Sequence, residues 1–128
     1  MRWEFLVPNV PVRDVRASQV WYRDVLGFEI NWLWEDNFGS VGCDNVELFL
    51  YESDEPKPVI CSVFVEDVDE VHARVVELGG ELVSPLEQKP WHVREFTLRD
   101  PDGNLLRIGT SVGGEHAAEL SFPGRVEA

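Results

Sequence analysis

Val10-Pro11-Val12-Arg13-Asp14-Val15 returns 53 residues later as Val63-Phe64-Val65-Glu66-Asp67-Val68. In both copies a short apolar run of β character reaches an aspartate and leads into an amphipathic pattern. After Asp14, a plausible N-cap, apolar residues recur at Val15, Tyr22, Val25 and Leu26, and Gly27 stands where a helix would stop. After the second copy Val68, Val71, Val75 and Leu78 make the same stripe, Gly79-Gly80 ends it, and either Asp67 or Asp69 supplies the cap. Alternating, β-rich segments follow each helix, over 28–35, 38–43 and 46–52 in the first half and 81–84, 93–99 and 104–109 in the second. Each half reads β-α-β-β-β. A hairpin joins its last two strands, and Asp100-Pro101-Asp102-Gly103-Asn104 has the residues that a tight turn needs.

Such a module exposes one apolar sheet face that it cannot cover alone, so two modules must pair, within one chain or between chains, and leave a concave surface suited to a ligand. The expected architecture is α+β, two tandem β-α-β-β-β modules forming a concave sheet cup. At 128 residues the chain has room for one core and not for two. A single domain is expected over 1–112, with modules at about 1–53 and 59–112 joined by an acidic stretch bearing Pro56 and Pro58. Residues 113–128, small and polar without period, are expected to form a flexible tail.

Twenty-four acidic against 11 basic residues leave a formal charge of -13, which disfavours nucleic acid as a partner and would attract a cationic ligand. No basic segment followed by an apolar run opens the chain, and no apolar stretch is long enough for a membrane span, so the expected compartment is the cytoplasm. Cys43 and Cys61 stand far apart without a C-x-x-C pair and are expected to be reduced, small buried fillers.

Val12-Arg13-Asp14-Val15 and Trp21-Tyr22-Arg23-Asp24-Val25-Leu26-Gly27-Phe28 resemble the opening of the vicinal-oxygen-chelate superfamily of glyoxalases, dioxygenases and bleomycin-resistance proteins. Asp100-Pro101-Asp102-Gly103-Asn104-Leu105-Leu106-Arg107 is similar to its closing hairpin, and Pro90-Trp91-His92-Val93-Arg94-Glu95-Phe96 to a segment of the bleomycin-resistance branch. The resemblance implies paired modules and a homodimer in which both chains contribute to each cup. It does not imply a function, because one scaffold hosts isomerases, dioxygenases, transferases and binders.

In the superfamily's enzymes a divalent metal is held by the first and last strands of each module, and the resemblance places those positions at Val7, Glu47, Ile60 and Arg107. Only Glu47 is a donor, so no metal and no other cofactor is expected; Glu47 and Arg107 are expected to pair across the cup instead. His72 falls on a polar helix position and His116 in the tail, and neither His92 nor any serine or cysteine has the spacing of a triad.

Of the five tryptophans, Trp21 on the helix and Trp3 near a chain end are expected to be structural, which leaves Trp32, Trp34 and Trp91. Trp32 and Trp34 alternate on one strand, and Glu47, Phe49 and Tyr51 share the face opposite Val46, Leu48 and Leu50. Together with Phe38 and Trp91 they make an aromatic wall, although core or interface packing is the other reading of Trp32 and Trp34. Asp36 and Glu47 could meet positive groups on a ligand, and His92, Arg94 and Arg107 complete the candidate binding set. The leading expectation is metal-independent sequestration of a planar cationic antibiotic or similar metabolite, possession of which would confer resistance. The alternative is a glyoxalase- or dioxygenase-type lyase or isomerase, and a third reading is an interaction module that kept only the fold.

Overall fold

The computed structural model describes residues 1–112; the expected tail at 113–128 and His116 lie outside the described residues. The order is β1 (Asn9–Val12), α1 (Val15–Leu26), β2 (Glu29–Trp34), β3 (Phe38–Cys43), β4 (Val46–Glu52), β5 (Ile60–Phe64), α2 (Val68–Glu77), β6 (Glu81–Gln88), β7 (Val93–Arg99) and β8 (Leu105–Ser111). This is the β-α-β-β-β pattern twice. The strands form two four-stranded sheets, ordered β1-β4-β3-β2 and β5-β8-β7-β6, with the first pair parallel in each and the rest antiparallel.

Local chemistry sets the helix limits. Asp14 Oδ1 accepts from the Ala17 amide at 3.0 Å, and Gly27, at φ 75°, turns its amide back to the Arg23 carbonyl. Asp67, not Asp69, caps α2, accepting from the Glu70 amide at 3.2 Å. The run expected as a strand over 81–84 continues to Gln88 through Pro85. Proline is tolerated there because β6 is an edge strand, and its register slips between Leu82 and Ser84 and between Ser84 and Glu87.

The inward residues of both sheets belong to one cluster, with Val10, Val41, Leu48 and Leu50 from the first and Phe96, Leu98, Leu106 and Ile108 from the second. The helices pack on that side and touch each other. Arg74 of α2 reaches over to the end of α1, donating from Nε and Nη2 to the carbonyls of Val25 and Asp24 at 3.0 Å each. Cys61 is half-buried, whereas Cys43 is exposed at the end of β3 and is not a core filler. His72 is not a purely solvated position: its ring meets Phe96 edge-on at 5.1 Å.

The β7–β8 turn fastens the modules together. Asp100 Oδ1 accepts from the amides of Asp102 and Asn104, at 2.9 and 2.8 Å, while Oδ2 accepts from Asn104 Nδ2 and from the buried Tyr22 hydroxyl, at 3.0 and 2.9 Å. Asn104 Nδ2 also donates to the Pro11 carbonyl at 2.8 Å, and Asp102 accepts from the Arg13 amide. Burial pushes the Asp100 carboxyl above its ordinary range, against the pull of these donors, and burial together with the Asp100 charge pushes the Tyr22 phenol well above its own.

Removing the Tyr22 hydroxyl leaves a buried carboxylate one donor short, which costs about 1–3 kcal/mol. Tyr22→Phe is therefore expected to lower the urea midpoint at neutral pH with little change in slope. An unchanged midpoint would show that the hydroxyl does not fasten the modules.

Candidate functional site

The faces turned away from the helices carry the candidate residues. On β4, Leu48 and Leu50 point inward, while Glu47, Phe49 and Tyr51 lie on the outer face, where Tyr51 is 40% exposed. Across the first sheet Asn9, Phe49, Ser40 and Trp32 stand in one register row, and Pro11, Tyr51, Phe38 and Trp34 in the next. Directly opposed residues share a face, so these rows form an aromatic grid. The rings of Trp32, Phe38 and Phe49 pack mutually, with centroids 5.1 to 5.4 Å apart and tilted or edge-on planes. Trp34, 63% exposed, flanks this cluster across from Phe38. Away from Trp34, next to the Trp32–Phe49 row, Glu47 accepts from Ser40 Oγ at 2.5 Å, and Ser40 accepts from Asn31 Nδ2 at 3.0 Å.

The second sheet holds a different group. His92 adopts a left-handed backbone at φ 63° in the turn before β7, with Trp91, 40% exposed, beside it. Trp91 Nε1 donates to Glu95 Oε1 at 2.8 Å, and Arg107 Nε lies 3.3 Å from Glu95 Oε2. Glu95 is only 3% exposed, so both its oxygens are held by this pair. Two shallow cavities, of about 170 and 160 Å³, flank Trp91, Glu95 and Arg107; the first extends to Ser62 and Phe64 on β5 and the second to Ser84 and Thr97.

The expected set thus separates into two groups, one per sheet: Trp32, Trp34, Phe38, Glu47, Phe49 and Tyr51 on the first, Trp91 and Arg107 on the second. Two expected members face elsewhere. Arg94 shares the helix-side face of β7 with Phe96 and pairs with Asp69 of α2 at 2.8 Å, because strand alternation turns it opposite to Glu95. Asp36, in the β2–β3 turn, pairs with Arg16 of α1 at 2.6 Å, which offsets the charge expected to meet a ligand. The expected tie between Glu47 and Arg107 is not made within the chain either, since each has its partner on its own sheet. Register also corrects their equivalence. Asn9 pairs with Phe49 and its repeat counterpart Ser62 with Arg107, so Phe49, not Glu47, is the counterpart of Arg107; longer connections in the second module shift the spacing.

The residues at the superfamily's metal positions do not fit a divalent ion. Val7 and Ile60 offer no donor, Arg107 brings a positive charge, and no cluster of three histidine, cysteine, aspartate or glutamate side chains occurs among the described residues. Glu95, Ser62, Phe64, Ser84 and Thr97 were not singled out from the sequence. Period-two alternation from Trp91 would have flagged Glu95, but the cross-strand neighbours need the register.

Residues 5–108 match the family described as Glyoxalase/Bleomycin resistance protein/Dioxygenase superfamily. A bleomycin resistance protein of Geobacillus stearothermophilus is 32% identical over 123 residues, covering 78% of this chain and 91% of the relative, and one of Staphylococcus aureus matches equally. Among solved structures, TioX from Micromonospora sp. ML1 superposes with a TM-score of 0.76 at 22% identity over 86% of this chain and all of its own. A glyoxalase-related enzyme from Clostridium phytofermentans gives 0.77 at 21% identity over 88% of this chain and 98% of its own. The repeated module, the register of the two sheets and these matches agree, and the chain belongs to the glyoxalase/bleomycin resistance/dioxygenase superfamily.

Proposed function

We propose that the protein binds and sequesters a planar cationic ligand, a bleomycin-type antibiotic or a similar metabolite, in the cytoplasm and without metal. The observation that carries this reading is the aromatic grid on the open face of the first sheet, where Trp32, Phe38 and Phe49 brace one another and Trp34 stands exposed across from Phe38. A flat ring stacked on such a surface gains on the order of 1–3 kcal/mol, and a cation over an aromatic face about 0.5–2 more. The name carried by the bleomycin resistance relatives supports the choice of ligand. A net charge of -13 adds an attractive field for a cation, an effect that salt screens.

The working unit in this reading is a homodimer in which the first sheet of one protomer faces the second sheet of its partner. Two features support it. The aromatic and Trp91 groups lie on separate open faces, and the N-terminal segment before β1 holds out Trp3, Phe5 and Leu6 at 88, 79 and 85% exposure. Apolar exposure on that scale favours cover by another chain.

Titration of chelator-treated protein with bleomycin is expected to quench tryptophan fluorescence saturably at about one ligand per chain. Replacing Trp34 or Trp91 with alanine should weaken binding about tenfold, the loss of one stack worth about 1.4 kcal/mol, and added salt should slow association. If no planar cationic drug quenches while turnover of a glyoxalase-type substrate is detected, the enzyme reading replaces this one. Light scattering is expected to give about twice the 14.6 kDa chain mass, and a monomer at binding concentrations would overturn the shared cup.

A further inference from the structure

The two open faces are not chemically alike. In the row that runs Asn9, Phe49, Ser40, Trp32 across the first sheet, the repeat counterparts on the second are Ser62, Arg107, Thr97 and Ser84. Where the first sheet offers two aromatic rings, the second offers a guanidinium with a hydroxyl on each side of it and a third beyond. All four side chains line the cavities of about 170 and 160 Å³ beside Trp91.

Glu95 organises this row. It is 3% exposed, and its two oxygens hold the Trp91 indole at 2.8 Å and Arg107 Nε at 3.3 Å. A buried carboxylate so engaged contributes no free negative charge to the cavity; it offsets the Arg107 charge and orients both neighbours. Arg107 engages Glu95 through Nε, its side chain is 47% exposed, and no other ion pair or hydrogen bond from it is made among the described residues, so its Nη donors are available to a ligand. Gly109, opposite Glu95, keeps the space open: a side chain there would meet Val93 Cγ1 at 2.7 Å and Glu95 Cβ at 3.1 Å.

We propose that the second sheet is an oxygen-acceptor subsite. It takes a carboxamide or carboxylate attached to a planar ring, with the ring on Trp91, the acceptor oxygen on Arg107 and the flanking hydroxyls, and Glu95 as the positioning residue. This deepens the sequestration reading, on which it rests, by specifying a ligand with a cationic part at one end and an acceptor group at the other, the first for the aromatic grid and the second for the Arg107 row. Because Glu95 balances Arg107, recognition is by directed hydrogen bonds and not by net charge, so a neutral amide qualifies.

The test uses the whole protein and two probes, 2-naphthamide and 2-naphthylmethylammonium, with the indole N–H resonances of Trp91 and Trp32 as separate reporters. Naphthamide is expected to move the Trp91 signal, and Arg107→Gln to weaken it at least fivefold while leaving the ammonium probe unaffected. Thr97→Val, nearly isosteric, is expected to weaken naphthamide two- to threefold. Glu95→Ala should shift the Trp91 indole proton in the free protein and weaken naphthamide as well, whereas Arg107→Gln should leave the indole bond in place. Equal naphthamide affinity in wild type and Arg107→Gln, with Trp91 still responding, would overturn the acceptor subsite and leave ring stacking intact. Failure of both probes to move either tryptophan would overturn the aromatic site as well.

Discussion

The carboxylate of Asp100 joins the modules. It accepts four hydrogen bonds, two from the backbone of its own turn, one from Asn104 Nδ2 and one from the Tyr22 hydroxyl, which belongs to the other module. Asn104, held by this carboxylate, takes the Pro11 carbonyl of β1 and accepts from the Val59 amide where the second module begins. Both strand starts and the first helix are thus referred to one turn. Unpaired, that carboxylate would be costly to bury; with four donors it becomes a specific fastening between elements far apart in sequence.

Once the modules are fastened on their helix sides, each sheet has used one face for the core. The other faces stay open, and this condition shapes the site. Polar and aromatic side chains need no helix above them there, so Trp34, Tyr51, Trp91 and Arg107 can remain accessible while Leu48, Leu50, Leu98 and Leu106 form the interior. Apart from Trp91, which lies in the turn before β7 and is held by Glu95, the site residues sit on strands, whose positions are set by cross-strand hydrogen bonds, and are therefore held more firmly than loop residues would be. Rings that lean on one another, and an indole held by a buried carboxylate, have lost much of their rotamer freedom before any ligand arrives, which reduces the ordering cost of binding.

The two halves have diverged on a common frame. The first lays aromatic rings across the sheet at Trp32, Phe38 and Phe49, and the second lays hydroxyls around a guanidinium at Arg107. Such asymmetry suits a ligand with chemically distinct ends. Valine, isoleucine and arginine occupy three of the four positions that the resemblance assigns to the metal of the superfamily's enzymes, and none of these side chains is a metal donor.

Much of this was legible in the chain itself. The repeat at Val10 and Val63, the aspartate caps, Gly27 and the Asp100–Asn104 turn determined two β-α-β-β-β modules, because caps, turns and periodicity act between residues close in sequence. The alternation of Glu47, Phe49 and Tyr51 with Leu48 and Leu50 placed an aromatic face for the same reason. Tertiary structure decided which charges remain for a ligand. Asp36 went to Arg16, Arg94 to Asp69 and Arg107 to Glu95, pairings that depend on side chains brought together by folding and on a register that spacing alone set two residues away, with Glu47 where Phe49 belongs.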